Sequence, residues 1–137
     1  MTGVWVALVT IAVAVLIGLL WQARQGRIRN RATALPPPVR AWLAEAGPHD
    51  GPTLVMLSTP VCARCPQARA VLRELAGDTP SIRRLELDLD THPALADELG
   101  VRSTPTTLAV SRSGHELFRV AGVPRRAELR EALAPHL

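Results

Sequence analysis

The residues best suited to chemistry are Cys62 and Cys65, the only two cysteines of the 137-residue chain. They enclose two residues in the sequence Cys62-Ala63-Arg64-Cys65, between an apolar run and a segment with helical spacing. Side chains three positions apart on a helix share one face, with Cβ atoms roughly 5–6 Å apart. A small adjustment brings such sulfurs into disulfide range. The spacing therefore predicts a pair that opens and closes a disulfide with little backbone motion.

The two cysteines are expected to have different roles. Cys62 would occupy the N-cap region of the following helix, where unpaired N–H groups and the positive end of the helix dipole favour thiolate over thiol. The positive charge of Arg64 should favour the thiolate further. Cys62 is therefore predicted to attack first. Cys65, one turn inside the helix, is placed to resolve a mixed disulfide formed on Cys62.

Two other uses of the cysteine pair stay open on sequence grounds. A zinc site normally needs four ligands, and the four histidines show no metal-ligand spacing, so no metal is expected. An inert pair of core thiols is disfavoured, because a turn between a strand and a helix is an exposed position. Redox chemistry is the favoured use.

An α/β pattern surrounds the cysteines. The run Thr53–Ser58 is continuously apolar, typical of a strand buried on both faces, and Cys62–Ala76 has apolar residues at helical intervals. Strands are also predicted at 82–89, 106–110 and 116–120, and helices at 39–46, 93–99 and 125–137. A strand–helix–strand crossover needs parallel strands, whereas the short loop between the last two strands needs antiparallel ones. The prediction is a mixed four-stranded sheet with helices on both faces.

The N-terminus is predicted to be a single-pass membrane anchor over residues 4–21. Val4–Trp21 has Thr10 as its only polar side chain and would span about 27 Å as a helix, close to the hydrocarbon thickness. Trp5 and Trp21 lie at its two ends, where indole rings prefer the headgroup region. A cleaved signal peptide is the alternative, but the positive n-region is missing and the cleavage pattern is poor.

The positive charge of the chain is concentrated beside this anchor. All 16 basic residues are arginine, a composition typical of a GC-rich bacterial genome, and five of them precede the first acid, Glu45. The remaining 11 arginines face 12 acids, so the globular part carries about −1. With 3% aromatic residues, nucleic-acid binding is not expected. Because arginine is retained on the cytoplasmic side, the domain is predicted to face the cytoplasm.

Residues 22–38 are predicted to be an Arg- and Pro-rich linker between the anchor and a domain over residues 39–137. The segment has no apolar periodicity and ends in Pro36-Pro37-Pro38, which favours an extended, stiff chain. Its arginines would lie against anionic headgroups, each contributing about 1 kcal/mol of attraction.

Residues 53–137 contain five motifs in a characteristic order: TLVMLS, CARC, LDLDTHPALADELGVRSTPTT, SRSG and VAGVPRRAELREAL. In these motifs the segment resembles the thioredoxin superfamily, with the N-terminal strand of full thioredoxins missing. The resemblance implies a thioredoxin-like fold, with Pro105 as a cis proline beside the cysteines and Thr104 in contact with the substrate chain. It also implies that Gly122 lets a peptide approach closely, although an ordinary turn glycine is an equal alternative.

The sequence also departs from classical thioredoxins at the cysteine motif. Val61 replaces the tryptophan before the first cysteine, and Ala63-Arg64 replaces Gly-Pro. The buried aspartate that accepts a proton from the inner cysteine would fall at Met56. Deprotonation of Cys65 is therefore expected to rely on water or on the leaving thiolate.

Together these features predict a bacterial, membrane-anchored thiol–disulfide oxidoreductase that reduces protein disulfides. Its partners would be protein disulfide or thiol substrates and an external electron donor, a reductase or a small thiol. No cofactor is expected, because no second domain exists to bind a flavin or a nicotinamide. The alternatives are an extracytoplasmic redox protein with the same chemistry, and a non-catalytic docking module that uses the groove near Pro105.

Overall fold

The computed structural model describes residues 1–137 and contains a five-stranded sheet with helices on both faces. The strands are β1 (Ile28–Ala34), β2 (Thr53–Ser58), β3 (Arg83–Asp88), β4 (Thr106–Val110) and β5 (His115–Ala121). The helices are α1 (Thr2–Arg24), α2 (Pro37–Glu45), α3 (Cys65–Asp78), α4 (Pro93–Leu99) and α5 (Arg126–Leu133), the last followed by a 3-10 turn at Ala134–His136.

The sheet is mixed, as predicted, and its strand order is β1-β5-β4-β2-β3. Strands β2 and β3 are parallel, and the other neighbouring pairs are antiparallel. One core cluster lies under α3 and α5 and includes Leu72 and Leu129. The second lies under α2 and α4 and includes Leu43 and Leu95. The sequence prediction of helices on both faces is confirmed.

Strand β2 lies inside the sheet between β3 and β4, and all six of its residues are buried. A strand covered on both faces has no reason to alternate polar and apolar residues. The continuous run TLVMLS therefore predicts this strand with its exact bounds. The chain leaves β2 at Ser58 and enters the cysteine turn directly.

The prediction of four strands is wrong, because β1 adds a fifth at the edge beside β5. It lies within residues 22–38, which were predicted to be a linker. Six of its seven side chains are exposed and only Ile28 packs against the core, so the sequence shows no apolar alternation. The strand is held by backbone pairing instead, with Ile28 opposite Val120 and Ala34 opposite His115.

The proline run does not extend the chain throughout, since α2 begins at Pro37. Proline has no backbone N–H to leave unpaired in the first turn of a helix, and its fixed φ suits that position. Helix α2 therefore starts two residues before its predicted position at Val39 and buries Val39 and Leu43.

Helix α1 is exposed along its whole length and buries no residue against the domain. Its best 18-residue window has a mean hydropathy of 2.7, so it is long and apolar enough to cross a membrane once. An N-terminal signal sequence would have the same properties. The helix ends at Arg24, and the next two residues, Gln25 and Gly26, form hydrogen bonds with the domain.

One buried hydroxyl in the sheet has no hydrogen-bond partner, and its replacement should stabilise the fold. Thr107 is fully buried in β4, and its Oγ1 atom is unpaired. Thr107→Val should raise the free energy of unfolding by about 1 kcal/mol, because an unsatisfied buried polar group is removed. Urea unfolding of the full chain in detergent, followed by circular dichroism, measures the change.

The neighbouring threonine supplies a matched control for this substitution. The Thr106 hydroxyl donates a 2.7 Å hydrogen bond to the Ser103 carbonyl oxygen and is also buried. Thr106→Val should therefore lower the free energy of unfolding by about 1 kcal/mol. If both variants lose the same free energy of unfolding, the Thr107 hydroxyl has a hydrogen-bond partner in the folded protein.

Candidate active site

Four segments meet at one end of the sheet and form the candidate active site. The cysteine turn follows β2, Thr104-Pro105 precedes β4, and Gly122 follows β5. The strand register brings them together, because Thr106 lies opposite both Leu57 and Ala121. The fourth segment, Gln25-Gly26, precedes β1, whose first residue pairs with Val120.

Cys62 and Cys65 form a disulfide in the structure, with their Cα atoms 5.4 Å apart. This separation lies within the usual disulfide range of roughly 4.4–6.8 Å. The two cysteines differ in exposure: Cys65 is 2% exposed and belongs to the core cluster under α3, whereas Cys62 is half-buried at its edge. Only Cys62 is therefore open to a group that approaches from solvent.

The helix after the cysteines begins later than predicted, at Cys65 rather than Cys62. Cys62 lies in the preceding turn, where its carbonyl oxygen accepts a 3.4 Å hydrogen bond from the Cys65 N–H. Pro66 explains the difference, since proline favours the first turn of a helix and restricts the residue before it. The prediction that Cys65 lies one turn inside the helix is wrong, and Cys62 lies before the N-cap residue, Arg64.

Thr104 and Pro105 lie in the loop that leads into β4. The peptide bond between them is cis, Pro105 is buried and Thr104 is half-buried. The Pro105 carbonyl oxygen accepts a 2.8 Å hydrogen bond from the Gly122 N–H. This bond joins the two loops that the family resemblance places beside the cysteines, so Gly122 is part of the same end of the sheet.

Gly122 is close to the segment that leaves helix α1. Its φ angle is +87°, and a Cβ at this position would lie 3.4 Å from the Gln25 Cβ and 3.5 Å from the Gly26 nitrogen. The Gly26 N–H donates a 2.7 Å hydrogen bond to the Ala121 carbonyl oxygen. The positive φ and the close approach of a second backbone both favour glycine here.

Arg64 is exposed, and its guanidinium donates a hydrogen bond to the side-chain oxygen of Gln25. Sequence reasoning placed Arg64 beside the cysteines but did not find Gln25, which lies 39 positions earlier in the chain. No local pattern could have indicated this pair. The contact connects the residue pair between the two cysteines to the first residue after α1.

The position expected to hold a buried acid is occupied by Met56, which shares the core cluster of Cys65. The carboxylate nearest in register is that of Glu86, opposite Met56 on β3. It accepts hydrogen bonds of 2.9 and 2.7 Å from Arg69 and one of 2.8 Å from Ser58. The Arg69 hydrogen bonds hold the pKa of Glu86 below its usual range. A carboxylate stabilised in its ionised form is a weak proton acceptor.

The structure brings together no group of three or more His, Cys, Asp or Glu side chains that could hold a metal ion. Three of the four histidines form hydrogen bonds elsewhere: His92, for example, contacts Thr91 and the Asp88 carbonyl oxygen. The site thus consists of a disulfide at the end of a buried strand, with two loops and the N-terminal segment around it.

A sequence model of the thioredoxin-like domain family matches residues 39–136, which is most of the chain. The chain belongs to the thioredoxin-like family. The thioredoxin of Chlamydia muridarum is 33% identical to this thioredoxin-like chain over 87 residues, which are 64% of the chain and 84% of that protein. Thioredoxin 1 of Nostoc sp. is 30% identical over 89 residues, covering 64% of the chain and 82% of that protein.

Solved thioredoxin structures share the fold of this thioredoxin-like protein. Fasciola hepatica thioredoxin superimposes with a TM-score of 0.60 at 21% identity, covering 72% of this chain and 91% of that one. Oxidised mitochondrial thioredoxin 3 of Saccharomyces cerevisiae superimposes with a TM-score of 0.59 at 18% identity, covering 71% of this chain and 89% of that one. With the thioredoxin relatives and the Cys62–Cys65 disulfide, the thioredoxin-like chain is a thiol–disulfide oxidoreductase.

Proposed function

We propose that this protein is a single-pass, membrane-anchored reductase of protein disulfides, with its domain in the cytoplasm. The observation that carries the chemistry is the unequal exposure of a bonded cysteine pair, half-buried Cys62 and buried Cys65. The apolar helix α1 and the arginines that follow it support the anchor and its orientation. The all-arginine composition supports a bacterial source.

In the proposed reaction, the Cys62 thiolate attacks one sulfur of a substrate disulfide. A bond forms between Cys62 and that sulfur, and the other substrate sulfur leaves as a thiolate. Cys65 then loses its proton to water or to the leaving thiolate and attacks Cys62. The second substrate thiolate leaves, and the Cys62–Cys65 disulfide forms. Two electrons pass to the substrate, and an external dithiol or reductase restores the reduced pair.

The residues around the disulfide have positioning roles in this proposal. Thr104 and Pro105 contact the substrate chain, and Gly122 lines the same groove, since its N–H is bonded to the Pro105 carbonyl. Arg64 favours the Cys62 thiolate through its positive charge, weakened by its exposure to water. A cytoplasmic thiol pool is reducing, so net reduction is the favoured direction.

The reduction potential of the cysteine pair tests the direction of the reaction. A value of about −270 mV, as in a reductase, is expected, whereas one of about −120 mV would indicate an oxidant. Equilibration of the purified full chain with glutathione or dithiothreitol buffers, read by mass spectrometry after alkylation, gives this potential. An oxidant value would contradict the proposed function.

Labelling with a membrane-impermeant maleimide in intact cells tests the orientation. Reduced Cys62 should react only after the cells are permeabilised, because the domain is proposed to face the cytoplasm. A variant that lacks Cys62 and Cys65 and carries Thr2→Cys is the matched control. It should react in intact cells, because the N-terminus is proposed to lie on the outer side of the membrane. Labelling of Cys62 before permeabilisation would place the domain outside the cytoplasm.

A further inference from the structure

The segment that follows the apolar helix α1 lies directly beside the active site in this fold. Helix α1 ends at Arg24, and the next two residues contact the rim of the site. The Gln25 side chain accepts a hydrogen bond from Arg64, and the Gly26 N–H donates to the Ala121 carbonyl oxygen. No free linker separates the apolar helix from the site.

The junction is fixed by its backbone conformation. Gly26 is buried with a φ of +79°, and a Cβ there would lie only 2.9 Å from the Val123 carbonyl oxygen. A side chain at this position would therefore clash with backbone and adopt an unfavourable φ. Two residues later Ile28 pairs with Val120, and β1 continues along the sheet edge. The segment that follows α1 is thus held to the domain at Gln25, Gly26 and Ile28.

This junction determines how high the site lies above a membrane. Trp21, at the end of the apolar run, marks the headgroup region, and Gln25 follows it by about 6 Å of helical rise. Arg64, which lies between the two cysteines, contacts Gln25 directly. The disulfide is therefore about one arginine side chain away from the segment that emerges from the bilayer.

The charge of the neighbouring surface is complementary to an anionic membrane. A cavity of about 560 Å³ beside the Thr104 loop is lined by six arginines and no acid. Only Arg119 among the six forms an ion pair, with Glu116. The six are Arg24, Arg27, Arg29, Arg31, Arg102 and Arg119. Such a cluster is attracted to anionic headgroups and would hold this end of the domain toward the bilayer.

We propose that the active site works at the membrane surface, and that its substrates are disulfides of membrane proteins that lie close to the bilayer. This inference rests on the proposed function, including the membrane anchor. A disulfide far above the bilayer would not reach Cys62, because the junction at Gly26 does not let the domain rise. Val61, which precedes Cys62 and is 90% exposed, offers an apolar contact to such a partner.

A pair of synthetic membrane peptides tests the dependence on height. Each has one apolar span and one disulfide loop, placed directly after the span in the first peptide and after a polyproline spacer of about 20 Å in the second. The reduced full chain is reconstituted with each peptide in vesicles of phosphatidylcholine and phosphatidylglycerol. The near loop should be reduced at least about tenfold faster than the far loop.

An insertion variant shows whether the junction causes the preference. Ten Gly/Ser residues between Arg24 and Gln25 would let the domain rise by about 18 Å and should bring the two rates together. The same ten residues added after Leu137 are the matched control and should leave the preference unchanged. Equal rates in the unmodified protein would overturn the inference.

A water-soluble aromatic disulfide separates failure of this inference from failure of the proposed function. Its reduction by the full chain needs the cysteine pair but no membrane height. Rapid reduction of this compound with equal rates on the two peptides would contradict the membrane-surface substrate alone. Failure to reduce the compound and both peptides would contradict the proposed function, and the inference with it.

Discussion

Replacing Cys62 with Ser should lower the rate of disulfide reduction at least about a thousandfold, to the uncatalysed background. A serine hydroxyl is not ionised near neutral pH and does not form a mixed disulfide. Cys65 cannot take over the attack, because it is 2% exposed and packed in the core cluster under α3. Insulin reduction by the full chain, with dithiothreitol as the electron source, measures the rate.

The Cys65→Ser variant is the matched control for this experiment. It keeps the exposed sulfur of Cys62 and loses only the group that resolves the intermediate, so a mixed disulfide with substrate should accumulate. Non-reducing gels and mass spectrometry of the isolated adduct would detect it. Two results with the Cys62→Ser variant would contradict the proposed order of attack: substantial turnover, or a mixed disulfide between substrate and Cys65.

Replacing Arg119 with Ala should lower the free energy of unfolding by about 3–5 kcal/mol, a large share of the stability of a domain this size. Arg119 donates two parallel hydrogen bonds of 2.8 and 2.9 Å to the Glu116 carboxylate and a third of 2.7 Å to the Leu99 carbonyl oxygen. The Glu116 side chain is only 5% exposed. Removal of the arginine leaves that carboxylate buried without a partner.

Arg125 offers a matched control, because it also pairs with a glutamate three positions away. The Arg125 and Glu128 side chains are 58% and 41% exposed, so Arg125→Ala should cost no more than about 1 kcal/mol. The double variant Glu116→Leu/Arg119→Met should recover most of the lost stability, since it also removes the buried Glu116 carboxylate that the single variant leaves unpaired. Urea unfolding in detergent measures all three variants. Equal losses for the Arg119 and Arg125 variants would contradict this account.

The sequence predicts well those elements whose side chains carry the structural information. Thr53–Ser58 is buried on both faces, and its apolar run predicts the strand exactly. The segment Thr106–Val110 is likewise predicted with its observed bounds. In both cases, side-chain burial against two layers of helices determines the structure. Burial can be predicted from the sequence, because buried segments are rich in apolar residues.

The elements that the sequence did not predict depend on contacts between distant parts of the chain. Strand β1 is held by backbone pairing with β5 while six of its seven side chains face solvent, so its polar sequence resembles a linker. The Glu116–Arg119 pair depends on a bulge, where Ala109 faces Phe118 but the next residue, Val110, faces Glu116. Two residues opposite one reverse the side-chain alternation, which brings both charges to one face.

The candidate site was predicted in part. The cysteine spacing indicated a disulfide pair, and the structure contains the Cys62–Cys65 disulfide. The position of Cys62 relative to the helix was wrong, because Pro66 moves the helix start to Cys65. The contact between Arg64 and Gln25 depends on how β1 docks, which no local pattern indicates. The roles of Thr104, Pro105 and Gly122 toward a substrate stay predictions.

The position of β1 at the edge of the sheet determines where the chain should be truncated to obtain a water-soluble fragment. A fragment that starts at Val39, where the family match begins, lacks the whole of β1. The backbone groups of β5 that β1 covers would then be free to pair with a second molecule, and such bare edges promote self-association. A fragment that starts at Gln25 retains that cover and omits only the apolar helix.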